Sequence, residues 1–251
     1  MAETSVLLQG SGLGATVRRD PWWLAPLGTA LGLGAFIVYS TWAAFQNAYF
    51  EYGPYLSPFY SPNLSSVFPW WKLSPAFLIL WAPAGFRATC YYYRKAYYRA
   101  YFLDPPACAV SESSGRRYKG ETAFPFILQN LHRYFFYIAV IFIFILAYDA
   151  INAFSFEEGF GIGVGSLVLT INVILLSCYT FGCHSLRHLI GGKLDCFTCP
   201  GAQPRHTLWK GVTRLNENHM LWAWCSLFWV GFSDVYVRLC AMGIWQDLRM
   251  F

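Results

Sequence analysis

Residues 178–199, CYTFGCHSLRHLIGGKLDCFTC, set the class of this chain. The segment that leads into them from Gly163 is apolar enough to cross a bilayer, and its expected last turns carry Cys183, His184 and His188. His184 and His188 are four residues apart and would share one helical face, with Cys183 about a quarter-turn away. Thiol and imidazole groups at the end of an intramembrane helix are costly to bury without a task. Holding a redox centre is such a task.

Composition agrees with a membrane location. Of 251 residues, 56% are hydrophobic, 20% aromatic and only 12% charged, whereas soluble domains carry about 25% charged residues. The net charge of +5 is small and calls for no nucleic-acid partner. The eight cysteines do not form the framework of a small secreted domain, so most read as free thiols or metal ligands. The N-terminal MAETSVLLQGSGLGATVRRD lacks a basic start, an apolar core and a cleavage site, and is not expected to be a cleaved signal peptide.

A spanning helix needs about 20 mostly apolar residues. Five stretches reach that length: 22–46, 74–102, 124–154, 163–190 and 219–245. The expected fold is therefore an all-α integral membrane protein, a single domain built as a bundle of five transmembrane helices. The small residues of GFGIGVGS would let the fourth helix pack closely. Basic residues set the orientation. Arg18 and Arg19 precede the first helix. Arg94, Lys95, Arg99, Arg116, Arg117 and Lys119 follow the second, and Lys193, Arg205, Lys210 and Arg214 follow the fourth. The other connections hold Lys72 as their only base, with Glu51, Glu157 and Glu158. The positive-inside rule then places the N-terminus, with a tail of residues 1–20, on the cytoplasmic side and the C-terminus outside. The long outer loop, rich in Pro, Tyr and Phe, could cap the bundle.

On this topology Cys90, Cys108, His132, Cys183, His184, His188 and His219 converge on the inner level of the membrane. Cysteine with histidine suits zinc, copper or an iron–sulfur centre. Two histidines on facing helices suit a b-type haem, and two thiolates with two imidazoles suit a Rieske-type [2Fe–2S] cluster. A single histidine at a helix end commonly caps a carbonyl or meets headgroups; several at one depth argue for a site. Cys178, Cys225 and Cys240 read as small packing residues. Cys196 and Cys199 form a CxxC without the second pair a zinc knuckle requires. Asp234 and Arg238, four apart, are expected to pair, and Asp149 near the outer end of the third helix is read as structural.

The strings RATCYYYRKAYYR (87–99), PPACAV (105–110), LQNLHRYFFY (128–137), GCHSLRHLIGG (182–192) and LNENHMLWAW (215–224) resemble the membrane-anchor subunit of succinate dehydrogenase. The resemblance covers roughly residues 20–247 and is closest to the five-helix, single-chain class with a Rieske-type cluster in place of haem. It implies docking of a flavoprotein subunit and an iron–sulfur subunit on the cytoplasmic side. It also implies electron transfer from succinate to a membrane quinone, and ligands drawn from the Cys and His of those strings. The location it implies is the cell inner (plasma) membrane. The basic, aromatic surface of Tyr91–Tyr93 and Arg94–Arg99 suits a soluble partner or a lipid interface. Arg133, Arg187, Trp222 and Trp224 are the quinone-pocket candidates, offering aromatic walls and a donor to a quinone carbonyl. Two other functions compete: a bis-His cytochrome b, and a transporter or scaffold without iron. Against transport, the sequence shows neither an inverted repeat nor a discontinuous helix.

Overall fold

The structure is a computed structural model and describes residues 12–112, 122, 124, 126–192 and 194–250. Arg116, Arg117, Lys119 and Lys193, which enter the expected orientation, lie outside the described residues, as does most of the N-terminal tail.

Four helices are long and apolar enough to cross a membrane. They are α1 (Leu24–Gln46), α5 (His132–Asn152, entered through a 3₁₀ turn at Phe126–Leu131), α6 (Val164–Phe181) and α9 (His219–Ala241). Their outward residues, among them Val38, Phe144 and Ile151, stay exposed, as lipid contact requires. Contact between them depends on close packing, since lipid is as apolar as leucine. Gly165 of the GFGIGVGS string supplies such a contact: a Cβ there would run into the Tyr55 ring. Gly85 likewise makes room for Phe135 of α5.

The second expected helix, 74–102, is not one helix. It is a series: α2 (Ala76–Ile79), α3 (Trp81–Ala88), α4 (Tyr91–Tyr97) and a π-turn at Tyr98–Phe102. Pro83 has no N–H for the carbonyl four residues back, which loosens the junction of α2 and α3. Thr89 then turns its hydroxyl back onto the Gly85 carbonyl (2.7 Å), and the chain becomes extended at Cys90.

The fourth expected helix, 163–190, also stops early. It ends at Phe181, and α7 (His184–Gly191) starts afresh after an extended Cys183. Gly182 permits this break. A Cβ there would lie 2.6 Å from the Cys178 carbonyl and 3.3 Å from His219 Nδ1. The expected loop beyond it contains α8 (Ala202–Glu217), which packs back on α7. Arg205 holds the carbonyls of Ile190 (2.7 Å) and Gly192 (3.1 Å) at the end of α7. Asn216 donates to the Gly182 carbonyl at 2.9 Å, so the interrupted helix keeps its hydrogen bonds satisfied.

At the opposite end, two short hairpins close the bundle: β1 (Glu51–Tyr52) with β2 (Tyr55–Leu56), and β3 (Ser155–Phe156) with β4 (Gly159–Phe160). The Pro/Tyr/Phe-rich loop does cap this end, burying Tyr55, Phe59 and Tyr60. The Tyr60 hydroxyl donates to the Ala43 carbonyl at the end of α1 (2.8 Å) and accepts from the Asn47 amide (3.1 Å).

Candidate functional site: paired cysteines and histidines at two helix breaks

The two breaks build the site. Cys90 (φ −68°, ψ 134°) and Cys183 (φ −66°, ψ 141°) have nearly the same extended backbone, each between two helices. Both thiols are buried and belong to the same core cluster, with Phe86, Tyr93 and Tyr179. The histidines come from the first residues of two spanning helices. His132 opens α5 and places Nε2 3.1 Å from Cys183 Sγ. His219 opens α9 and places Nε2 3.8 Å from Cys90 Sγ.

Aromatic rings fix the spacing between the two pairs. Phe86 stacks on His132 with centroids 4.8 Å apart, Tyr179 stacks on His219 at 4.9 Å, and Phe86 meets Tyr179 at 5.3 Å. Each imidazole is thus backed by one ring of the same aromatic pair. Beside them lies Arg87, whose guanidinium bonds the Tyr93 hydroxyl, the Ala223 carbonyl (3.2 Å) and Ser226 Oγ (3.1 Å). It also covers the Tyr179 ring at 4.8 Å. A permanent cation is thus held within the aromatic wall of the site.

Among the described residues, several polar groups here are buried without a hydrogen-bond partner: His219 Nδ1, Trp222 Nε1 and Gln129 Oε1. The Tyr179 hydroxyl faces Cys90 without closing a hydrogen bond of normal geometry. Groups left in this state are uncommon in folded proteins and call for an explanation such as a ligand. Among the described residues, no three of His, Cys, Asp and Glu stand where they could hold one metal ion. The arrangement is two separate Cys–His pairs, which does not suit a mononuclear zinc or copper site. Together the pairs offer four donors, two thiols and two imidazoles.

Three of the sequence candidates stand apart from these pairs. His184 and His188 are exposed because the break at Cys183 turns α7 out of line with α6. His188 Nδ1 meets Arg133 at 3.0 Å. Cys108 is exposed in the loop after the π-turn, where its carbonyl accepts from Arg18 (2.8 Å). Of the quinone candidates, both arginines have other partners. Arg133 bonds His188. Arg187 lies 4.7 Å over Trp209 and bonds Thr213 (3.2 Å). Trp222 and Trp224 both border the core cluster of the site, Trp224 packing on Tyr93 and Phe228. Cys196 and Cys199 form a disulfide with each other, away from the pairs.

Sequence reasoning gave no role to Phe86, Arg87, Thr89 or Tyr179. An arginine between apolar neighbours in a membrane stretch was the available signal for Arg87. Phe86, Arg87 and Tyr179, with Thr180, also border a cavity of about 150 Å³ between α1, α3, α5, α6 and α9.

No curated protein matches the chain. Among solved structures it is similar to a chain of the Mycobacterium smegmatis Sdh1 complex in the apo form. The TM-score is 0.86 and the identity 46%, covering 94% of each chain. The family model described as actinobacterial succinate dehydrogenase subunit SdhC matches residues 24–243. Spanning almost all of the chain, that match shows that the protein belongs to the SdhC family of succinate dehydrogenase membrane subunits and is part of an oxidoreductase complex.

Proposed function

We propose that this SdhC-type subunit both anchors the complex and carries its electrons. In this reading electrons pass from the iron–sulfur subunit through a Rieske-type [2Fe–2S] cluster to quinone. One observation carries it: Cys90, Cys183, His132 and His219 form two buried Cys–His pairs within a chain of this family. Two thiolates and two neutral imidazoles are the ligand set that raises a [2Fe–2S] potential above that of an all-cysteine cluster. Bis-His haem fits less well, because it would leave the two buried thiols beside the imidazoles without a task.

The chain crosses the membrane five times in this reading, the second crossing being the interrupted series from α2 to the π-turn. The N-terminus lies inside. Arg18, Arg94, Lys95, Arg99 and the bases of α8 lie toward the Cys/His end, while Glu51, Glu157 and Glu158 lie at the hairpin end. The flavoprotein and iron–sulfur subunits dock on the Cys/His end, and the complex sits in the cell inner membrane. The quinone ring occupies the cavity beside Arg87 and Tyr179, whose lining does not include Arg133, Arg187, Trp222 or Trp224. A cavity of this size accommodates a benzene-sized ring, and the two side chains offer donors to a carbonyl.

Iron and acid-labile sulfide analysis of the purified complex tests the cofactor. Replacing His132 and His219 together by alanine is expected to abolish succinate-to-quinone transfer, while succinate oxidation with a soluble dye survives. His184→Ala, on an exposed side chain, is expected to leave quinone reduction unchanged. Wild-type quinone reduction by the double variant overturns the proposal. Loss of a haem α-band from the double variant would install the cytochrome reading.

A further inference from the structure

We infer that Thr89 is the positioning residue that fixes the tautomer of His132, so that Nε2 faces the redox site with a free lone pair. This rests on the proposed cluster and concerns how the chain prepares one of its ligands.

The inference follows from counting hydrogens. A threonine hydroxyl has a single hydrogen. In Thr89 that hydrogen goes to the Gly85 carbonyl, at 2.7 Å, the backward bond that ends α3. The other acceptors within reach of that hydrogen are the Phe86 carbonyl, at 3.4 Å, and His132 Nδ1, at 2.9 Å, and the shorter Gly85 bond decides among them. Thr89 Oγ1 also lies 2.9 Å from His132 Nδ1. With its hydrogen already directed to a backbone carbonyl, Oγ1 meets Nδ1 as an acceptor. Nδ1 must therefore carry the ring hydrogen, which leaves Nε2, 3.1 Å from Cys183 Sγ, unprotonated in the neutral ring.

Two features hold this assignment in place. Phe86 lies flat on the imidazole, with 4° between the ring planes, and so restrains a ring flip that would exchange the nitrogens. Thr89 itself sits in the break between α3 and α4, one residue before Cys90. The turn that brings Cys90 inside thus also supplies the acceptor for His132. Among the described residues His219 has no such partner, its Nδ1 being buried and unbonded. The two imidazoles are prepared to different degrees by the protein.

A hydrogen bond from the far nitrogen raises the basicity of the ligating one, and loss of such a partner typically weakens metal retention about 10- to 100-fold. Thr89→Val keeps the shape and removes the acceptor. In the purified complex it is expected to release iron to a chelator about tenfold faster than wild type. The reduction potential of the remaining cluster should rise, because a less basic imidazole stabilises ferric iron less. Thr89→Ser keeps the hydroxyl and is expected to restore both chelator resistance and potential. Pulsed EPR nitrogen couplings from one of the two imidazoles should change in Thr89→Val and return in Thr89→Ser. Unchanged potential, couplings and chelator resistance in Thr89→Val overturn the inference. So does a Thr89→Ser variant that loses the cluster as valine does, an outcome that also decides the matter if the valine variant fails to assemble. A wild-type complex whose iron and sulfide leave no cluster for this subunit would instead remove the proposed function.

Discussion

The two ends of the bundle bury polar groups in opposite ways. At the hairpin end every buried charge is answered. Asp234 accepts from the Tyr39 hydroxyl (2.5 Å), from Ser57 and from Arg238 (3.2 Å), and Arg238 also donates to the Ala48 carbonyl (2.7 Å). Asp149 accepts from Ser61. Asp247 accepts from the Tyr55 hydroxyl (2.6 Å), the Tyr236 hydroxyl (2.5 Å) and the Gly165 amide (2.9 Å). At the Cys/His end, by contrast, His219 Nδ1, Trp222 Nε1 and Gln129 Oε1 are buried and unbonded. Ionisable groups in a membrane are functional candidates by default, and both ends contain them. What separates the ends is satisfaction: a completed network locks helices together, whereas the Cys/His end keeps buried polar groups without a protein partner among the described residues.

Breaking the completed end should cost the most. Asp234→Ala leaves Arg238 buried without its carboxylate, and a loss of about 3–5 kcal/mol is expected in thermal unfolding of the detergent-solubilised complex. Replacing both residues by apolar ones of similar volume should cost much less, because the uncompensated charge is gone. A single variant no worse than the double one would show that the pair is not the source of stability. A smaller effect, about 1 kcal/mol, is expected when Tyr55→Phe removes one of the three donors to Asp247. The same measurement reads it, and Tyr236→Phe should match it.

The smallest stability effect is expected at the other end. His219→Leu deletes a buried group with an unbonded nitrogen, and unfolding of the chain freed of iron by a chelator should move by less than about 1 kcal/mol. The same substitution should remove the iron retained by the untreated complex. A large stability loss in the iron-free chain would mean that His219 is structural and that the contrast between the ends is false.

Much of the protein is legible without coordinates. Long apolar runs with 12% charged residues specify a membrane bundle, because hydropathy and length are properties of composition along the chain. The likeness of five short strings to a succinate dehydrogenase anchor pointed to the family that the residue 24–243 match shows. The pairing of Asp234 with Arg238 followed from helical spacing and is present in the structure. Spacing failed where helices stop. Placing His184 and His188 beside Cys183 assumed that the helix runs on through residue 190, and the missing discontinuous-helix signal hid two breaks.

Those breaks depend on tertiary context. Where α6 ends, the Cys178 carbonyl and His219 crowd the place of a Cβ and leave room only for Gly182, and where α3 ends Thr89 turns its hydroxyl back on Gly85. Neither event has a period that a pattern of apolar residues could report. Each turns one cysteine inward, to meet a histidine far away in sequence: Cys90 with His219, and Cys183 with His132. Composition and helical periodicity could name the residue types and the membrane level of the site. The choice of Cys90, Cys183, His132 and His219 from seven candidates came from packing between helices, because only close approach of separate segments settles where a continuous helix must give way.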